Sequence, residues 1–225
     1  MPAQAVTVEV TFKKNAPAKN GWILDNGKYY YYDNGVMVTG WKSSGGKWYY
    51  MDPETGIMVT GWLDLDGTWY YLNGSGAMLT GWQQVRGKWY YFENSGAMKT
   101  GWLSDGGKWY YLTSSGAMAT GWQAVGSEWY YFESSGAMTE TGWKEIGGKW
   151  YYFKKSGAMA SKEYCGGYWL NEDGSWTYPH KASWRGNDES GWWYGDDSGW
   201  YANNEKLTID GKVYEFDARG YWIKN

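Results

Sequence analysis

Apolar and polar positions in residues 21–160 repeat one short phrase seven times. A Gly-Trp pair is followed seven residues later by a second aromatic, then by a polar stretch closed by a Gly-x-Met step. The first aromatics are Trp22, Trp41, Trp62, Trp82, Trp102, Trp122 and Trp143. The second are Tyr29, Trp48, Trp69, Trp89, Trp109, Trp129 and Trp150, each opening a run such as WYY. Met37, Met58, Met78, Met98, Met118, Met138 and Met159 close the units. A period of 19 to 21 residues held over seven copies defines a repeat architecture. The interval between the two aromatics is constant while the residues inside it vary, which marks a geometric constraint.

Each unit reads as a β-hairpin. Asn26-Gly27 stands between two apolar-aromatic runs, a strong signal for a two-residue turn. Asp66-Gly67, Gly45-Gly46, Gly106-Gly107 and Gly147-Gly148 take the same places, and the sixth unit has Gly126-Ser127. With such a turn Trp102 faces Tyr111 and Ser104 faces Trp109. Strand alternation then puts Trp102, Trp109 and Tyr111 on one face and Tyr110 on the other. A register moved by one residue would break the set. The polar connectors, such as ENSGAMKTG, return the chain to the next hairpin. The expected fold is all-β, a solenoid of stacked hairpin repeats of about 20 residues, with the aromatic faces of neighbours meeting.

The two ends differ. In residues 1–20, Val6, Val8, Val10 and Phe12 alternate with polar residues as in a half-buried strand, followed by the linker-like NAPAKN. We expect this segment to be a strand and linker from an upstream domain. Residues 161–225 are expected to be divergent terminal repeats and a cap. There Trp169 and Trp176 are seven apart around Asp173-Gly174, and Asp210-Gly211 marks a last hairpin.

Composition narrows the chemistry. Trp (20) and Tyr (23) far outnumber Phe (5), and 34 glycines argue against helix. A net charge of −3 with scattered Lys and Arg gives no footprint for nucleic acid. No apolar run has the roughly 20 residues of a membrane span. One histidine, His180, and one cysteine, Cys165, form no recognisable triad, so the chain reads as not an enzyme. No metal-loop motif and no cofactor motif is present; Asp196-Asp197 reads as a turn.

Two Trp and a Tyr on one face could simply fill a core. Trp suits that poorly, because each buried indole N–H needs a partner. A ligand-binding reading has two forms. Several aromatic faces can enclose a quaternary ammonium. A sugar instead stacks on a flat platform, with polar side chains reading its hydroxyls. No polar side chain of that kind recurs here beyond connector Ser and Thr and a frequent Lys, which favours the cation cage.

TGWLSDGGKWYYLTSSGAMATGW and TGWQQVRGKWYYFENSGAMKTGW resemble the choline-binding repeats of bacterial surface proteins from pneumococci, related streptococci and their phage lysins. The likeness covers residues 21–160, with 161–225 similar to divergent terminal repeats. It implies left-handed superhelical stacking and choline sites between consecutive hairpins, each with two Trp from one unit, an aromatic from the next and a Met nearby. Carried over, the sites pair Trp41 and Trp48 with Tyr71, Trp62 and Trp69 with Tyr91, Trp82 and Trp89 with Tyr111, Trp102 and Trp109 with Tyr131, and Trp122 and Trp129 with Tyr152. Trp143 and Trp150 open a further site, and Met78, Met98, Met118 and Met138 lie nearby. The last Tyr of each WYY is assigned by strand parity.

Departures from the pattern put some sites in doubt: Tyr29 for Trp, the longer connector MDPETGIM, and the extra residue before Trp143. The implied function is attachment to the cell wall through choline or phosphocholine of teichoic or lipoteichoic acid, at the bacterial surface outside the cell. Lys47, Lys88, Lys108 and Lys149, each before the second Trp, could approach a phosphate, although a solvated strand position explains them as well. Two alternatives remain. One is a glucan-binding repeat module, which more commonly reads GKKYYF without the second Trp. The other is a scaffold for adhesion, with a homodimer through the C-terminal hairpins.

Overall fold

A computed structural model describes residues 18–224. The strand expected at Val6–Phe12 lies outside them. The described residues contain strands and no helix, and fall into two compact units that divide between Lys99 and Thr100.

In the first unit the hairpins pair Gly21–Asp25 with Lys28–Asp33, Gly40–Ser44 with Lys47–Met51, Gly61–Leu65 with Thr68–Leu72, and Gly81–Val85 with Lys88–Phe92. The second unit continues with Gly101–Asp105 and Lys108–Leu112, Gly121–Val125 and Glu128–Phe132, and Gly142–Ile146 and Lys149–Phe153. The register is the expected one, with Trp102 opposite Tyr111 and Ser104 opposite Trp109. Asn26 and Gly27 have φ of 47° and 73°, so both turn residues are left-handed, as a type I′ turn requires. In the sixth hairpin only Gly126 is left-handed (63°), a II′-like solution that lets Ser127 keep an ordinary φ.

Within each unit, successive hairpins stack front to back. The front carries the two Trp and the last Tyr of WYY. The back carries the middle Tyr and the residue after WYY. Trp62 therefore meets Tyr90 and Phe92 of the next hairpin, at 4.9 and 5.8 Å between ring centroids. In the second unit Trp102 meets Tyr130 and Phe132 at 4.9 and 5.9 Å. The expectation that the aromatic faces of neighbours meet is thus corrected: within each unit an interface joins the front of one hairpin to the back of the next. The core lies in these interfaces. Phe92, Leu72, Met51, Phe132, Leu112 and Phe153 are fully buried.

The connectors fix the spacing. The amide of Met78 donates to the carbonyl of Trp48, Met98 to Trp69, Met138 to Trp109 and Met159 to Trp129, at 2.7–2.8 Å. The longer second connector is absorbed locally. Asp52 Oδ1 accepts from the Glu54 and Thr55 amides and the Thr55 hydroxyl, and Met58 still donates to Tyr29 at 2.8 Å. The extra residue of the sixth connector is taken up before Trp143, where Gly142 opens to φ 126°. Trp176 still donates to Trp150 at 2.8 Å.

The C-terminal part departs from the sequence reading. Glu163–Cys165 and Tyr168–Leu170 form a short hairpin around Gly166-Gly167, so Asp173-Gly174 belongs to a connector and Trp169 and Trp176 are not a hairpin pair. Ser183–Asn187 pairs with Gly191–Gly195. The last hairpin, Lys206–Ile209 with Lys212–Glu215, turns back to join Glu163–Cys165 in parallel, placing Tyr164 beside Ile209 in a four-stranded sheet. Tyr164, Ala182, Tyr194, Ala202, Leu207, Ile209 and Phe216 form a compact core beneath it.

Candidate aromatic cages

The front faces of the second to sixth hairpins each offer one half-buried Trp and one exposed Trp. The first ring is wedged between its own last Tyr and the back of the next hairpin. Trp102 lies 5.2 Å from Tyr111 and 4.9 Å from Tyr130, both edge-on. Edge-on packing satisfies the ring quadrupoles while leaving one indole face open. The second Trp stands nearly perpendicular to the first, at 87° for Trp102 and Trp109, and Trp109 is 48% exposed. Trp102, Trp109, Tyr130 and Met138 line a cavity of about 430 Å³, with Lys155 and Ser156 beside them. No carboxylate lines it.

The aromatic from the next hairpin is the middle Tyr, not the last. This corrects the parity assignment of Tyr71, Tyr91, Tyr131 and Tyr152 to the preceding hairpin's Trp pair. Those tyrosines lie across their own hairpins, against Trp62, Trp82, Trp122 and Trp143, and Tyr111 lies likewise against Trp102. Within the first unit Trp22 meets Tyr49 at 4.7 Å, Trp41 meets Tyr70 at 5.0 Å and Trp62 meets Tyr90 at 4.9 Å. In the second unit Trp122 meets Tyr151 at 4.8 Å and Trp143 meets Tyr168 at 5.8 Å. Trp82 and Trp89 form the same hairpin half-set, with Trp82 5.3 Å from Tyr91. Tyr29 replaces the second Trp but keeps its edge-on place 6.5 Å from Trp22.

The methionines do two things. Their amides hold the carbonyl of the exposed Trp, and their side chains cross the glycine of the following Gly-x-Met step. A Cβ on Gly136 would lie 2.2 Å from Met118 Sδ, and one on Gly76 equally close to Met58 Sδ. Met118 opposes Leu112 across its own hairpin.

The site opened by Trp143 and Trp150 is closed by residues the sequence reading did not name, and one further cage escaped it, because Trp stands where Met was sought. Trp143, Trp150, Tyr168 and Trp176 surround a cavity of about 210 Å³. In the C-terminal part Trp184 lies 5.2 Å from Tyr194, 4.8 Å from Tyr214 and 5.7 Å from Phe216, matching the Trp102 set to within about 0.4 Å. Trp222 donates to the Trp192 carbonyl at 2.7 Å, completing the pattern. The steps Gly174-Ser175-Trp176 and Gly220-Tyr221-Trp222 were the available signal.

The proposed phosphate lysines are dispersed: Lys149 pairs with Asp173 at 3.4 Å, while Lys108 borders a separate groove with Lys144 and Glu133. Hydrogen bonding from Lys144, against the opposing effect of burial, holds the Glu133 carboxyl below its ordinary value. Among the described residues no cluster of His, Cys, Asp or Glu has metal-binding geometry, and no helix is long and apolar enough to cross a membrane.

The repeats match the family described as Choline-binding repeat over residues 19–60, 38–80, 79–120 and 119–164. No curated protein sequence matches. Among solved structures, CbpJ from Streptococcus pneumoniae TIGR4 is 47% identical, with a TM-score of 0.65, over 71% of this chain and 58% of that one. Choline binding protein F from Streptococcus pneumoniae, solved with a peptidoglycan analogue, is 44% identical (TM-score 0.66) over 71% and 58%. The modular autolysin LytC from Streptococcus pneumoniae is 29% identical (TM-score 0.59) over 94% of this chain and 50% of that one. The chain thus spans little more than half the length of these relatives. With the family matched across more than half the chain and the aromatic clusters in place, the protein belongs to the choline-binding repeat family.

Proposed function

We propose that the chain is a non-catalytic module that holds choline groups of phosphocholine-bearing teichoic acid in its aromatic cages, and so attaches to the bacterial cell wall from outside the cell. One observation carries this reading. The second Trp of every complete repeat is 40–49% exposed at a constant strand position, and Trp109 stands there beside half-buried Trp102, Tyr130 and Met138. An array that used these rings only for packing would bury them. The faces converge on cavities without a carboxylate, which suits a quaternary ammonium that has no N–H to donate. One cage contributes roughly 2–4 kcal/mol, equivalent to a dissociation constant of about one to tens of millimolar. Several cages on one polymer raise the attachment by effective concentration.

The test is a choline titration followed by Trp fluorescence, with ammonium chloride at matched salt. A saturable millimolar response to choline alone is expected. A response to dextran but not to choline would move the chain to the glucan-binding class. A second reading, self-association through the last hairpin, draws on the exposure of Val213, Tyr221 and Ile223. Sedimentation that shows a monomer at every concentration, with and without choline, would rule it out.

A further inference from the structure

One cavity is not built on the repeat plan. Tyr164, Trp169, Tyr178, Trp200, Glu205 and Leu207 line a space of about 300 Å³ in the C-terminal part. Tyr164 stands where a repeat has its first Trp, but the large rings around it come from places where repeats carry other residues. Trp169 sits where a repeat has its last Tyr, and Trp200 sits where a repeat has the small residue of Gly-Ala-Met. Tyr164 is buried, stacks on Trp200 at 5.5 Å and 26°, and lies 5.1 Å from Trp169. The Tyr178 hydroxyl donates to Asp196 Oδ2 at 2.7 Å, which fixes that ring.

The charge of this cavity also differs from that of the cages. Glu205 lines it and accepts a long hydrogen bond from the Asn203 amide at 3.3 Å. Asp196 lies just behind Tyr178. Burial alone would raise the Asp196 carboxyl, but bonds from Ser198, Tyr178 and the backbone together hold it below its ordinary value, so it is charged at neutral pH. None of the lining side chains is cationic. The Tyr164 phenol responds to this: burial pushes its pKa up most, and Asp196 and Glu205 push it further in the same direction.

We propose that this cavity is a separate binding site for a primary alkylammonium, such as the end of a lysine-like or diaminoalkane chain. The apolar stem would lie between Trp169, Trp200 and Leu207, and the ammonium would donate to Glu205. A carboxylate at the wall favours a cation that has N–H groups, whereas the repeat cages, which lack one, favour a cation without them. The two ligand classes are thereby sorted between two kinds of site. This site stands whether or not the repeat cages hold choline.

The experiment is an NMR titration of the intact chain that follows the assigned indole N–H signals of Trp169 and Trp200. The probes are n-butylammonium, its neutral analogue 1-butanol, and choline. We expect saturable shifts with n-butylammonium at millimolar concentration, weakened about tenfold in Glu205→Gln, on the scale of one charge-assisted hydrogen bond at an accessible wall. 1-Butanol and choline should act only at much higher concentration. Glu205 is exposed, so the variant should fold; unchanged signals elsewhere verify this. No saturable shift at the two indoles overturns the proposal. So does an equal response to 1-butanol, to choline, or in the variant. The Trp102 and Trp109 signals in the same choline titration report on the repeat cages separately.

Discussion

The amide of Met138 donates to the carbonyl of Trp109 at 2.7 Å, joining the connector of one hairpin to the exposed ring of the hairpin before it. The bond ties ligand geometry to hairpin spacing, because the residue that positions Trp109 also lines its cavity. The cage and the fold are nevertheless separable. Trp109 is half exposed, whereas Phe132 behind Tyr130 is fully buried. We therefore expect Trp109→Ala to abolish choline binding at this cage, at least tenfold by NMR at Trp102, while changing stability by no more than about 1 kcal/mol. Phe132→Ala should cost about 3–5 kcal/mol in urea unfolding. Equal destabilisation by the two variants would mean that the exposed Trp is a packing residue after all.

Met118 and Gly136 provide a test of the stacking itself. Gly136 has φ 82°, and a Cβ there would meet Met118 Sδ at 2.2 Å. Gly136→Ala should destabilise by roughly 1–3 kcal/mol, from the left-handed backbone and the displaced thioether together. Adding Met118→Ala removes the clash and leaves the backbone strain of about 1 kcal/mol plus the lost packing of Met118. The double variant should therefore be less destabilised than the sum of the singles, measured as a double-mutant cycle. Strict additivity would show that the two residues do not couple.

Hairpins, turns and strand register were legible in the sequence because each is a local rule. Asn26-Gly27 demands a left-handed turn, and alternation then fixes which of Trp109, Tyr110 and Tyr111 share a face. How hairpins meet is a relation between units, and no local pattern encodes it. Parity placed Tyr131 correctly on the front of its hairpin, but the preceding cage receives the back of that hairpin, and so Tyr130. The closing ring of the Trp143 and Trp150 site, and the whole Trp184 cage, were hidden for a different reason. Trp176 and Trp222 keep the position of Met but not its chemistry, so a search for the full motif passes over them. The return of Lys206–Ile209 to pair with Glu163–Cys165 is a non-local contact that the repeat period gives no reason to expect.

Buried acids in the C-terminal core set an alkaline limit. Burial first, then the Glu163 carboxylate, pushes the Cys165 thiol from 9.0 up to about 12. Tyr164 and Tyr194 are raised in the same direction, chiefly by burial. A group whose neutral form is favoured by folding contributes fully below its unfolded value, and that contribution is lost as pH rises toward the folded value. Stability should hold to about pH 9 and then fall toward pH 12, less steeply in Cys165→Ala. A disulfide reagent at pH 8 should label Cys165 in urea but not in the native chain. Rapid native labelling would contradict the buried, protonated thiol.

The last cage holds a built-in competitor. Lys224 Nζ sits 5.6 Å from the centroid of the Trp222 ring and 2.6 Å from Asp188 Oδ1, and Trp192 Nε1 donates to the same carboxylate oxygen at 3.0 Å. An ammonium of the chain itself therefore stands over one wall of the Trp184, Trp192, Tyr214 and Trp222 set, and on the proposed function choline would have to displace it. The pair is exposed, so breaking it costs little in stability, about 0–1 kcal/mol. Lys224→Gln should strengthen choline binding at Trp184 and Trp222 by a few-fold, read from their indole signals, and leave the cage at Trp102 unchanged. The Asp188 carboxyl, held below its ordinary value chiefly by its bond from Lys224, should titrate closer to the usual carboxylate range in the same variant. Unchanged affinity with a shifted Asp188 would mean that Lys224 pairs with the carboxylate without competing for the cage.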